Sequence, residues 1–224
     1  MSATAWLTRL SLSRAASARA LLPLLVPGKP GDRARSGHNL MWTLFGDSPG
    51  SKRDFLWREE GQGRFILLSA RPPQDNHQLF EPFEPKPFEP VFAAGDHLRF
   101  LLRANATVRH RGDPKHRDVV MDAIHALPKG ERANARRTAE QEASRRWLDA
   151  QGAAHGFAVT DLACLGYETL SLARSRGADI QLGVVDLEGR LTVTDPERFA
   201  EQLLSGFGRA RAFGCGLMLV APLG

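Results

Sequence analysis

Two periods alternate along this chain, and their order limits the fold more than any other feature. Strand-like alternation from about Thr4 to Ser11 gives way to helical spacing over Arg14 to Leu22 and Asp32 to Phe45. In the second of these helices His38, Met41, Trp42 and Phe45 share a face, Asp32 is a candidate N-cap and Gly46 a stop. Strand patterns resume at Phe55 to Glu59 and Arg64 to Ser69, a predicted hairpin through Glu60-Gly61-Gln62-Gly63, and again at His97 to Val108. Between them Phe-Glu-Pro recurs three times within Glu81 to Pro90 and its flanks, which predicts an extended path.

A short helix is predicted from Arg117 to Ala126, and Thr138-x-x-Gln141 reads as a capping box opening a helix to about Gly152, with Ala143, Trp147 and Ala150 facing a core. Strands are predicted at Phe157 to Leu162, Tyr167 to Ser175 and Asp179 to Asp186, then a turn at Glu188-Gly189 and a strand at Arg190 to Val193. Asp195-Pro196 starts a helix to Leu204, and a Gly-rich loop leads into a last strand, Leu217 to Ala221. This order predicts an α+β protein of two units, each an antiparallel sheet with helices on one face.

Charge is unevenly spread. Residues 1–112 carry 16 basic and 10 acidic side chains, residues 113–224 carry 14 and 15, and only five of the 30 cations are Lys. Arg suits phosphate contacts and base stacking, so the bias fits a nucleic-acid partner; a GC-rich genome would produce it equally well. No acidic residue precedes Asp32, as in a transit peptide, yet the only apolar block, Leu21 to Val26, is short and broken by Pro23, so the N-terminus is expected to belong to the folded protein. No apolar run has the ~18 residues of a membrane span. Cys164 and Cys215 stand alone, which predicts neither a disulfide framework nor a zinc site and points to the reducing cytoplasm.

Three features carry possible chemistry. Gly206-Phe-Gly208-Arg-Ala-Arg211-Ala-Phe-Gly214-Cys-Gly216 has four Gly in eleven residues and two Arg. Its amides could cradle phosphate, or the glycines could simply meet a need for positive φ. His38 lies between an apolar stripe and the basic entry Arg33 and Arg35. A histidine so placed is more often a packing residue than a proton-transfer group. Arg136-Arg137 and Arg145-Arg146 could project from one side of a helix toward a groove, or be a solvated face paired with Glu140 and Glu142. The remaining histidines show no metal-binding spacing, Gly46 to Lys52 is only a near miss to a P-loop, and no G-x-S-x-G elbow is present.

Together these pieces resemble the CasE family, the CRISPR-associated endoribonucleases of the type I-E Cascade complex. The carriers are His38-Asn-Leu-Met-Trp42-Thr-Leu-Phe45, Arg53 to Arg58, Leu102 to Asn105, Leu191 to Asp195 and, most specifically, Gly206 to Pro222. The resemblance implies two tandem ferredoxin-like (RRM-like) domains, here 1–112 with the catalytic histidine and 113–224 with the basic segment and Gly-rich loop. It implies cleavage of CRISPR precursor RNA at the repeat hairpin without metal or cofactor, leaving a 2′,3′-cyclic phosphate. The protein would stay bound to the RNA among other Cascade subunits, off the membrane, and be a monomer outside the complex.

His38 falls on the family's catalytic histidine as general acid or base. The family's Tyr three residues earlier is Arg35 here, so that role is lost or taken by a cation, with Ser36 and Arg33 as alternatives. Gly206, Gly208, Arg209, Arg211, Gly214 and Gly216 would bind RNA, and Arg136, Arg137, Arg145 and Arg146 would grip the A-form stem. The rival reading is a noncatalytic subunit that binds the hairpin without cutting it.

Overall fold

The structure is a computed structural model that describes residues 5–46, 52–174 and 176–223. Thr4, Ser175 and most of the Gly46 to Lys52 run therefore lie outside the described residues. The elements in chain order are β1 (Ala5–Ser11), α1 (Ala16–Leu25), α2 (Pro30–Trp42), β2 (Phe55–Gly61), β3 (Arg64–Ser69), β4 (Lys86–Phe88) and β5 (His97–Ala104). There follow β6 (Thr107–Val108), β7 (Arg117–Asp118), α3 (Val119–His125), α4 (Arg132–His155), β8 (Phe157–Leu172), β9 (Ile180–Val193), α5 (Pro196–Ser205), a 3₁₀ turn (Arg211–Phe213) and β10 (Met218–Pro222). No helix among the described residues is long and apolar enough to cross a membrane.

Two four-stranded antiparallel sheets result, ordered β2-β3-β1-β4 and β10-β5-β9-β8, with β6 and β7 pairing as a small ribbon. Both have the strand order of a ferredoxin-like fold. The second has its full complement of crossovers: α3 and α4 join β5 to β8, β8 and β9 form a hairpin, and α5 joins β9 to β10. In the first, α1 and α2 join β1 to β2, but β3 reaches β4 without a helix. Pro72, Pro73, Pro82 and Pro85 deny this connection amide donors, and the Asp75 carboxylate instead organises it by accepting from the amides of His77, Leu79 and Phe80. The extended path predicted for the Phe-Glu-Pro segment is found, with Phe80 buried in the first core.

The expected division at 112/113 does not follow the sheets. β5 pairs with β9 and β10, so sheet membership changes between Phe88 and His97. The basic segment follows the first strand of the second unit and lies within its crossover.

Several element boundaries differ from expectation for local reasons. α1 runs through Pro23 to Leu25, and α2 starts at Pro30, whose ring suits a first helical turn, so Asp32 sits inside that turn. α4 begins at Arg132, because nothing from Arg132 to Arg137 breaks a helix; Thr138 is interior, and Leu148 rather than the exposed Ala150 faces the core. Glu188-Gly189 is inside β9, paired with Ala163 and Leu162 just beyond a bulge in β8 between Val159 and Asp161. A Cβ on Gly189 would stand 2.1 Å from the Asp161 carbonyl oxygen, so the glycine serves strand contact and makes no turn. Asp195 does cap α5, accepting from the Arg198 amide at 3.2 Å.

The first sheet is buried on both sides. Leu10, Phe55, Trp57, Phe65 and Leu67 face Leu40, Met41 and Leu44 of the α2 region, whereas Ala5, Leu56, Ile66 and Leu68 meet Leu217, with Leu204 and Leu219 beside it. This explains why β3 is buried continuously from Phe65 to Ser69 without alternation. The second unit supplies the cover for that outer face.

Candidate functional site

α2 carries a stripe of small residues that lets it lie against two neighbours at once. A Cβ on Gly31 would come within 2.0 Å of the Ser171 carbonyl oxygen in β8, and one on Gly37 within 2.3 Å of the Trp57 ring in β2. Ala34, between them, belongs to a buried cluster with Leu170, Val184 and Cys215. Seated in this way, α2 packs on the Arg211–Phe213 turn of the Gly-rich loop. His38 is placed at that contact.

The His38 ring is half-buried, 6.0 Å from the Phe213 ring and 6.3 Å from that of Trp42 between centroids. Its Nε2 accepts the Trp42 indole N–H at 3.3 Å, while Nδ1 is buried without a hydrogen-bond partner. Its pKa lies below the ordinary histidine value: burial is the main cause, the nearby Arg53 guanidinium adds to it, and the Ala212 carbonyl opposes it. The same carbonyl accepts the Trp57 indole N–H at 3.1 Å, tying the loop to β2.

Arg53, just before β2, donates to the Phe55 carbonyl oxygen. Burial lowers its pKa, as does Arg211, with Asp54 opposing. Arg211 is likewise lowered by burial and donates to the carbonyls of Ser205 at 2.7 Å and Gly208 at 3.1 Å. A cavity of about 300 Å³ lies between them, lined by Arg53, Asp54, Leu204, Ser205 and Arg211 among others. The Arg53 charge is thus felt by both His38 and Arg211, and the cavity between the two arginines, which His38 does not line, offers a cationic seat suited to a phosphate.

The loop glycines all have positive φ: 83° at Gly206, 71° at Gly208, 78° at Gly214 and 92° at Gly216. Packing demands at least two of them independently, since a Cβ would stand 2.8 Å from the Asn105 carbonyl oxygen at Gly208 and 2.8 Å from the Phe207 carbonyl oxygen at Gly216. Several loop amides are already engaged, Phe207 N–H with Gly216, Arg209 N–H with Asn105 and Gly216 N–H with Arg103. The loop thus packs as a wedge between the units and presents the Arg211 and exposed Arg209 side chains.

Other predicted residues lie elsewhere. Arg35 donates to the Ala173 carbonyl at the end of β8, Arg33 to Pro27 and Gly28, and the Ser36 hydroxyl to Leu24, so all three brace α2. On α4, which packs on β8, α3 and α5, Arg136 pairs with Glu140 at 3.0 Å and lies over the Tyr167 ring. Arg145 bonds Asp149 and the Val159 carbonyl, Arg146 faces Glu142 at 3.5 Å, and Arg137 is exposed. Sequence reasoning missed Arg53 as a site residue and the Trp42 bond to His38; the i, i+4 spacing was the available signal for the latter. Among the described residues no three His, Cys, Asp or Glu side chains group as metal ligands.

The chain is similar to the CRISPR-associated endoribonuclease Cse3 of Thermus thermophilus, 32% identical over 151 residues. That stretch is 62% of this chain and 63% of the Thermus protein, so the match spans less than two thirds of that relative. It is also similar to the CRISPR system Cascade subunit CasE of Escherichia coli, 27% identical over 191 residues, 83% of this chain and 90% of the relative. Among solved structures, Thermus thermophilus Cse3 bound to an RNA representing a pre-cleavage complex superposes with a TM-score of 0.69 at 26% identity, covering 98% of this chain and all of that one. Escherichia coli Cas6e, at 21% identity and a TM-score of 0.62 over 97% of this chain, shares the fold. The family model described as CRISPR associated protein matches residues 5–222, and the chain belongs to that family.

Proposed function

We propose that this protein is an endoribonuclease that cleaves CRISPR precursor RNA at the repeat hairpin and stays bound to its product as a Cascade subunit. The observation that carries the reading is the convergence of His38, Arg53 and Arg211 where α2 meets the Gly-rich loop. Its relatives named as CRISPR endoribonucleases, one of them in complex with RNA, support it.

The reaction needs little more than this group. The 2′-hydroxyl next to the scissile phosphate attacks phosphorus; the new 2′-O–P bond forms as the P–O5′ bond breaks. One proton leaves the 2′-oxygen and one reaches the departing 5′-oxygen, giving a 2′,3′-cyclic phosphate and a 5′-hydroxyl. His38 handles one of these protons, as acid or as base. Arg53 and Arg211 stabilise charge accumulating on the phosphorane oxygens, without a metal ion. Arg53 takes the stabilising part that the sequence offered to Arg35, whose guanidinium braces β8. Arg209 and the α4 arginines contact the A-form stem through its phosphates.

Cleavage of the repeat RNA in EDTA, beside a substrate with a 2′-deoxy nucleotide at the scissile position, tests this. The all-ribose RNA alone should be cut, at a rate unchanged by the chelator. Loss of cutting in EDTA would remove metal independence, and binding without any cutting would establish the noncatalytic subunit instead.

A further inference from the structure

His38 has two ring nitrogens: Nε2 is engaged by Trp42, and Nδ1 is buried. An indole N–H can only donate, so its 3.3 Å contact requires a lone pair on His38 Nε2. A neutral ring then carries its proton on Nδ1, the nitrogen that is shielded and without a partner. Nε2 is consequently the atom through which the ring can exchange a proton with RNA, and Trp42 occupies it.

The indole is itself held in place. Its ring meets Phe55 edge-on at 5.2 Å, Phe55 stacks on Phe45 at 5.0 Å, and the Arg71 guanidinium lies over Phe45 at 4.9 Å. The other groups facing His38 are Phe213 and the Ala212 carbonyl from the loop and Arg53 from the approach to β2. Trp42 is the side chain that hydrogen-bonds a ring nitrogen, and the Ala212 carbonyl is the acceptor that faces the ring's N–H.

We propose that Trp42 is a positioning residue: its indole N–H selects the His38 tautomer protonated on Nδ1 and occupies Nε2, which the RNA must take over before cleavage. This rests on the endoribonuclease reading for its consequence in catalysis, though the tautomer belongs to the free protein. The bond favours the neutral ring, because a protonated Nε2 would oppose the indole N–H. Losing it raises the His38 titration midpoint.

The test uses the full-length protein labelled with ¹⁵N-histidine, without RNA, and its Trp42→Phe variant, which keeps a ring against Phe55. In the parent, the nitrogen shifts of neutral His38 should report protonation on Nδ1. In the variant, the midpoint should rise by about half to one on the pH scale, the effect of one ordinary hydrogen bond. The His38-dependent limb of the cleavage pH profile should move the same way. A purely structural tryptophan would change stability and leave the midpoint where it was. A parent ring protonated on Nε2, or a variant with superimposable titration, overturns the proposal, and the parent tautomer decides alone if the variant does not fold. If the tautomer and midpoint behave as expected but neither protein cuts RNA, the positioning contact stands and the endoribonuclease reading falls.

Discussion

Burial alone would depress a histidine, and at His38 the neighbouring Arg53 guanidinium pushes in the same direction. The folded protein therefore favours the neutral ring through a pH range in which an unfolded chain would begin to protonate it. Because the folded value is the lower one, this contribution to stability is complete above the ordinary histidine value and is lost as pH falls through the depressed one. On the proposed mechanism Arg53 has two effects, which Arg53→Ala removes together and Arg53→Lys separates. In Arg53→Ala the His38 titration should move up, and single-turnover cleavage should slow by about a hundredfold, as when one preorganised transition-state donor is removed. Arg53→Lys should restore the titration more fully than the rate, since a point charge replaces the planar fork. Unchanged cleavage by Arg53→Ala would remove it from the site.

At the scale of elements, the seat of α2 decides whether His38 reaches the loop. Gly31→Ala would drive a methyl group into the Ser171 carbonyl, whereas Gly28, just outside the helix, has nothing within 4 Å of an added Cβ. Chemical denaturation should show Gly31→Ala destabilised by about 1–3 kcal/mol and Gly28→Ala within about 0.5 kcal/mol of the parent. Equal stability of the two variants would contradict this seating. The helix itself was legible in the sequence because a 3.6-residue period is a local signal, and so was the start of α5 at Asp195-Pro196. Less legible were features set by a partner strand: Gly189 looks like a turn until its pairing with Leu162 of β8, next to the bulge, is known. The loop glycines were recognised as a cluster, but whether they cradle phosphate or fit against Asn105 and Phe207 depends on contacts far away in the chain. His38 was identified by resemblance. Its pairing with Trp42 was obscured because indoles at helical spacing normally signal a core.

In the whole molecule, neither unit holds the candidate site alone. α2 and Arg53 come from the first, while the loop carrying Arg211 and Phe213 joins α5 to β10 of the second. The outer face of the first sheet is closed by Leu217, and the Arg103 guanidinium bonds Asp186 and Glu168 on the second sheet while Arg58 of β2 lies 3.9 Å from Asp186. This contact between units holds the histidine and the loop cations in register. The second unit's start at β5 was hidden in the sequence, because a strand pattern does not name its partner and the basic crossover looked like a linker. The role proposed for the ring held at this junction is proton transfer. Single-turnover cleavage and hairpin binding measured on the same preparation of His38→Ala should show a rate lower by about a hundredfold or more, with affinity for the uncut hairpin retained. Cleavage at the parental rate would take His38 out of the chemistry.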